Sequence, residues 1–244
     1  MSESLWAGRE SETSDRRAGE PEWLCYQLAA RHARGRRALD VDCGPGYGSF
    51  LLARAGASQV IGVSEDPAAL GWARAQFAGP VVQFREGGGR SLPLASGDVD
   101  LAVSLETLER LRDVPAFVEE LHRVLAPGGL LLVSTPLARG PQRLHPQDPR
   151  HAREYDDQEL AALLSPRFSI AERHGLLRAP GELRQRDPGL GPRLQRQARR
   201  AVPELLRSLG RKLLPKPAQG PRGKLVTDGW ESAPIQLALA RRVG

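Results

Sequence analysis

The chain has 244 residues, 40% of them apolar and 26% charged, enough for one sheet covered on both faces and too short for two independent domains. Its apolar runs, such as Gly129 to Val133, are strand-length and far short of the ~20 residues of a spanning helix; its two cysteines, Cys25 and Cys43, give no basis for a disulfide framework or a zinc site. The net charge of +6 hides an asymmetry: residues 176–224 hold 13 Lys plus Arg against 3 acids, a balance of +10 that leaves −4 for the rest.

Residues 1–20 are polar and aperiodic and read as a disordered arm; Glu3, Glu10 and Glu12 with no apolar segment argue against a secretory signal, so a cytoplasmic location is expected. A short helix is predicted from Pro21 to near Gly35. Strand and helix then alternate, the pattern of a parallel α/β sheet: strands at 38–41, 60–63, 81–85, 100–104 and 130–134, with helices at 47–55, 67–77 and 114–124 between them. Pro127-Gly128-Gly129 is expected to stop the chain hard before the fifth strand. A Pro- and Arg-rich loop follows to Tyr155, then a helix at 157–164, a strand at 168–173 with Phe168, Ile170 and Glu172 in alternation, and a last strand at 235–240.

The most informative stretch is Leu39-Asp40-Val41-Asp42-Cys43-Gly44-Pro45-Gly46-Tyr47-Gly48. Glycines between a strand and a helix let backbone approach a ligand, and the helix N-terminus offers free N–H groups to it. A nucleotide-like cofactor fits that place. A dinucleotide fingerprint would need glycine where Ser49 stands, which weakens a hydride-transfer reading.

This loop, together with the Pro-Gly-Gly-Leu-Leu-Leu-Val-Ser-Thr-Pro run at 127–136, Gly62-Val63-Ser64-Glu65, the Ser91-Leu92-Pro93 turn, the Asp100 to Glu109 strand and turn, Leu121 to Leu125, and His151-Ala152-Arg153-Glu154-Tyr155, resembles the class I S-adenosylmethionine-dependent methyltransferases. The bacterial small-molecule and cell-surface-sugar branch is the most similar. The resemblance implies a doubly wound, Rossmann-like seven-stranded sheet: a core at 21–175, a basic helical insertion or lid at 176–228, and the last strand at 229–244. It also implies S-adenosylmethionine as cofactor, with Asp40 toward the methionine ammonium, Gly44 and Gly46 clearing space for the adenosyl part, and Leu105 and Glu106 lining the pocket near the transferred methyl.

Four positions depart from the family pattern, all at cofactor-contacting places. Asp42 replaces the first glycine of the loop, Ser64 (with Glu65 beside it) the acid that grips the ribose, Gly88 the acid that meets the adenine amino group, and Arg110 a frequent His. They set a methyl-transferring enzyme against a catalytically silent relative kept as scaffold or partner.

An oxygen nucleophile usually needs a base, and His151 and Glu154, at i and i+3 before a helix, are the candidates for it. With His145 and Asp148 their spacing matches no standard metal pattern. Leucines and alanines at helical spacing from Leu190 to Leu213, with Arg193, Arg196, Arg199, Arg200, Arg207, Arg211 and Lys212 among them, suit a lid, and residues 190–214 also suit an anionic membrane surface or a phosphate-bearing substrate. The lack of aromatics there disfavours nucleic acid.

Overall fold

A computed structural model describes residues 21–138, 146, 148–178, 223–228 and 233–244. The predicted disordered arm, His145 and the predicted helices of the basic segment lie outside the described residues.

The elements in chain order are α1 (Pro21–Ala30), β1 (Arg37–Val41), α2 (Tyr47–Arg54), β2 (Gln59–Ser64), α3 (Pro67–Phe77), β3 (Val82–Glu86), β4 (Val99–Leu105), a 3-10 turn (Leu108–Arg110), α4 (Val114–Val124), β5 (Leu125–Pro136), α5 (Asp157–Leu164), β6 (Phe168–Arg178), β7 (Gly223–Val226) and β8 (Ile235–Arg242). They build one sheet in the order β3-β2-β1-β4-β5-β8-β6-β7. The first five strands run parallel, whereas β8 is antiparallel to both β5 and β6. Its apolar alternation explains why it is covered on both faces: Leu237 and Leu239 join the core under α1, α2 and α3, and Ala238 and Ala240 the core under α4 and α5. β1, β4 and β5 divide their side chains between the same two cores.

Local chemistry sets the helix starts. Asp66 accepts from the N–H groups of Ala68 and Ala69 with Pro67 next in line, Asp113 accepts from Ala116 N–H, and Asp156 forms a reciprocal capping box with Glu159. α2 differs. Its cap is Gly46, which offers no side chain, so its first N–H groups have no side-chain acceptor there.

The doubly wound α/β class matches the expectation, with three differences. Among the described residues the sheet has eight strands, because Gly223–Val226, expected to be part of the insertion, pairs with the end of β6; β6 itself runs past the expected boundary at 176 to Arg178. Pro127-Gly128-Gly129 lies inside β5 as an irregularity between the Val99–Leu125 and Leu101–Leu130 pairs rather than ending the helix turn before a fresh strand. A bulge between Ile170 and Glu172 breaks the alternation predicted for β6, leaving Glu172 exposed and burying His174 and Leu176.

Candidate cofactor site

β1 lies between β2 and β4, so the connections leaving β1 and β4 diverge to opposite faces and open a crevice at their carboxyl ends. The loop from Asp42 to Gly46 forms its floor. Asp42, Gly44 and Gly46 all take left-handed φ angles, of 56°, 50° and 81°. Cys43 N–H bonds to Val63 carbonyl and Gly46 N–H to Cys43 carbonyl, which holds the loop against β2. A side chain at Gly44 would meet open space, so its backbone is free to touch a ligand. Gly46 is different: a Cβ there would lie 2.7 Å from the Phe84 ring and 2.9 Å from Ala73, so this glycine makes room for a core aromatic.

Two cavities occupy the crevice. One, of about 200 Å³, is walled by Glu22, Tyr26, the loop from Asp42 to Pro45, Tyr47, Gly48, Leu105, Glu106 and Arg110; the other, of about 210 Å³, by Ser64, Glu65, Gly87, Gly88, Gly89, Thr107, Leu111 and again Asp42 and Arg110. The Asp42 carboxylate and the Arg110 guanidinium, 3.4 Å apart and each about 40% exposed, therefore stand between the halves. Two of the four departures are thus one ion pair. Asp42 and Glu106 are the two non-glycine residues with left-handed φ among the described residues, and both face the crevice. Such strain costs ~1–3 kcal/mol per residue and clusters at functional sites. Glu106 does not cap the following turn, a place taken by Thr107; its N–H bonds to Ser134 and its carboxylate accepts from the Ser134 hydroxyl at 3.4 Å.

Asp40 does not face either cavity. It is fully buried, and its two oxygens accept from the Tyr26 hydroxyl at 2.8 Å and the Ser49 hydroxyl at 2.6 Å. Burial pushes its carboxyl up to about 6, against the lowering effect of those bonds. Asp40, the residue expected at the methionine ammonium, anchors α1, whose Tyr26 and Glu22 form a wall of the first cavity. The Tyr26 ring lies directly on Gly48, where a Cβ would come within 2.0 Å of it. Gly48→Ala is expected to lift Tyr26 and α1 off the crevice at a cost of ~1–3 kcal/mol, the range for overpacking a filled site. Urea denaturation gives the cost, and faster amide exchange confined to residues 21–30 identifies the element that moved.

At the other end Ser64 is also turned inward. It is 2% exposed and its hydroxyl accepts from Asp66 N–H at 3.2 Å, so it holds the turn into α3. Glu65 is exposed on the cavity wall beside Gly88.

The predicted pair His151 and Glu154 is brought together, Nδ1 to Oε1 at 2.8 Å, in a loop returned against the β4 and β5 ends by bonds from Ala152 and Arg153 N–H to Glu109 carbonyl. Nε2 of His151 lies 3.8 Å from Asp148 and 4.0 Å from Glu109. Neither His151 nor Glu154 is among the residues that wall the two cavities. Glu109 is the residue sequence reasoning missed. It is fully buried, Oε2 accepts from the Thr135 hydroxyl at 3.0 Å, and Oε1 has no hydrogen-bond partner; burial pushes its carboxyl above the usual range. Nothing in the Glu106-Thr107-Leu108-Glu109-Arg110 turn after β4 singles it out in the sequence, because Glu106, Thr107 and Arg110 are polar or charged as well. Among the described residues no group of three or more His, Cys, Asp or Glu side chains is arranged to hold a metal ion.

A doubly wound sheet with a glycine floor, an uncapped helix N-terminus and a divided crevice at the switch point suits a nucleotide-like cofactor. The comparisons specify it. A methyltransferase domain family matches residues 39–133. A probable S-adenosylmethionine-dependent methyltransferase of Mycolicibacterium smegmatis is 38% identical over 184 residues, 73% of this chain and 70% of that protein. A second, from Mycobacterium tuberculosis strain H37Rv, is 38% identical over 143 residues, 58% of this chain and about half (51%) of the relative. A solved S-adenosylmethionine-dependent methyltransferase from Mesorhizobium loti superposes with a TM-score of 0.60 at 20% identity, covering 92% of this chain and 99% of its own, a likeness of fold alone. The chain belongs to the S-adenosylmethionine-dependent methyltransferases, with S-adenosylmethionine as its cofactor.

Proposed function

We propose that the chain transfers a methyl group from S-adenosylmethionine to an oxygen or nitrogen of a small-molecule or sugar-like acceptor. The observation that carries this reading is the His151–Glu154 pair, which lies outside the walls of the two cavities but is returned against the turn after β4 by the bonds of its loop to the Glu109 carbonyl. The cofactor supplies a methyl group already activated on a sulfonium, so alignment of the nucleophile provides most of the acceleration. The residues of the chain do the rest. Glu154 fixes the tautomer of His151 by accepting from Nδ1, which leaves Nε2 able to take a proton from an acceptor hydroxyl. Glu109 keeps the loop in place through two backbone bonds and adds a carboxyl that retains its proton more readily than usual.

The reading is supported by the strain retained at Glu106, since an abandoned site has no reason to keep a residue in a costly conformation. That observation favours the enzyme over a silent scaffold. The expected surroundings are cytoplasmic; no described helix is long and apolar enough to cross a membrane. Residues 190–214 are proposed to meet the acceptor, or an anionic membrane surface or phosphate-bearing substrate, through their arginines.

Transfer of label from methyl-tritiated S-adenosylmethionine to a panel of hydroxylated and amino-bearing small molecules and sugars tests the proposal. His151→Ala is expected to lower kcat 10²- to 10⁴-fold on an oxygen acceptor while leaving cofactor binding within twofold. Unchanged kcat removes His151 as the base, and no labelled product from any member of the panel counts against the acceptor class. Pelleting with vesicles of phosphatidylserine, compared with neutral vesicles and with a deletion of 190–214, tests the membrane arm; equal pelleting removes it.

A further inference from the structure

The two remaining departures, at 64 and 88, explain each other. Position 88 carries no side chain, and the space where one would begin is already taken: a Cβ on Gly88 would lie 1.9 Å from Oε1 of Glu65 and 2.3 Å from its carboxyl carbon. Glu65 reaches that point because it follows Ser64 at the end of β2, where Ser64 turns inward and its hydroxyl caps Asp66 N–H. Glu65 and Gly88 wall the same cavity, and the Glu65 side chain has no hydrogen-bond or ion-pair partner among the described residues. The loop after β3 is fixed under it by the bond from Ser91 N–H to Gly88 carbonyl and by the Gly87 N–H bond to Ser64 carbonyl.

We propose that Glu65 is a transposed recognition acid: its carboxylate, lying across Gly88, accepts the hydrogen bond from the 6-amino group of the cofactor's adenine, and glycine at 88 is what admits it. The inference rests on the S-adenosylmethionine reading of the crevice and deepens it. Glu65 is then a specificity-determining residue, Ser64 a turn residue, and the pair 65/88 a single unit that can only be exchanged together. An ionised carboxylate accepts and does not donate. It therefore selects a base edge that carries an amino group and opposes one that carries a carbonyl.

The test is titration calorimetry of the full chain with S-adenosylhomocysteine and with S-inosylhomocysteine, which replaces the 6-amino group by oxygen. Wild type is expected to bind the inosyl compound at least tenfold more weakly. Glu65→Gln, whose amide can accept from the amino group or donate to the carbonyl, is expected to erase the preference. Gly88→Asp alone is expected to weaken adenosyl binding, because the new carboxylate collides with Glu65, whereas Glu65→Ala with Gly88→Asp restores it to within about threefold of wild type. The ratio of the two ligands within each variant does not depend on how much of that variant is folded. A preference unchanged in Glu65→Gln, or a double variant no better than the worse single one, overturns the transposition while leaving the cofactor reading standing. Wild type that binds neither compound overturns both.

Discussion

Replacing Asp40 with asparagine is expected to stabilise the protein by ~3 kcal/mol at pH 8 and by almost nothing at pH 4. The folded protein holds the Asp40 proton up to about pH 6 because burial disfavours the charge, whereas an unfolded chain releases it near 4. Between those values the folded state binds more protons than the unfolded one, so this group's contribution falls as pH rises through the window. Above it the penalty is fully present, at ~1.4 kcal/mol for each unit of displacement. An asparagine keeps both hydroxyl partners: its oxygen accepts from one and its amide donates to the other, since the Tyr26 and Ser49 hydroxyls can each play either part. Alanine would not, and is expected to destabilise by leaving two buried hydroxyls unpaired. Urea midpoints of wild type and Asp40→Asn from pH 4 to 8 check this directly. Two curves that stay parallel would show that Asp40 is not the buried, charge-strained anchor described above. The same variant separates anchor from cofactor ligand, because an anchor leaves S-adenosylhomocysteine affinity within threefold and a partner of the methionine ammonium does not.

The second large effect concerns Asp42. Its carboxylate stands between the two halves of the crevice, in a left-handed conformation that glycine adopts without strain. The partner, Arg110, is too exposed for the pair to contribute more than ~1 kcal/mol to stability. Asp42→Gly is accordingly expected to tighten S-adenosylhomocysteine binding five- to thirtyfold, a change of ~1–2 kcal/mol, by joining the two cavities and removing a charge that repels the ligand's own carboxylate. Arg110→Ala goes the other way, because it leaves Asp42 uncompensated where the ligand must lie. Calorimetry at low and high salt distinguishes this account from a purely steric one: the effect of Arg110→Ala shrinks as salt screens the charge. If Asp42→Gly weakens binding, the carboxylate is a contact rather than an obstacle.

How much of this was legible in the sequence follows from the distance over which each feature is encoded. β1, α2, β2 and α3 announce themselves because their periodicity, Pro67 and the glycine loop are local, and β1, β2 and β4 fall within one residue of expectation, whereas β5 begins five residues before it. β7 does not, since four residues, Gly223–Val226, at the edge of a strongly basic stretch carry no alternation long enough to recognise. The bulge in β6 is equally silent, because nothing in Ile170-Ala171-Glu172 marks the extra residue. In the site, the four departures were visible one by one. Their pairing was not: Asp42 and Arg110 are 68 residues apart, and Glu65 meets Gly88 only because β2 and β3 are neighbours in register. Asp40 was legible as the acid before the loop, but its role depends on Tyr26 arriving from α1, a long-range packing event that residue type alone does not encode.

The central claim is that the crevice still holds S-adenosylmethionine, with Asp42 paired to Arg110 and Glu65 lying across Gly88. The most direct measurement is titration calorimetry of the wild-type chain with S-adenosylmethionine and S-adenosylhomocysteine. Dissociation constants in the micromolar range are the predicted result; the absence of heat at millimolar concentrations of both would contradict it.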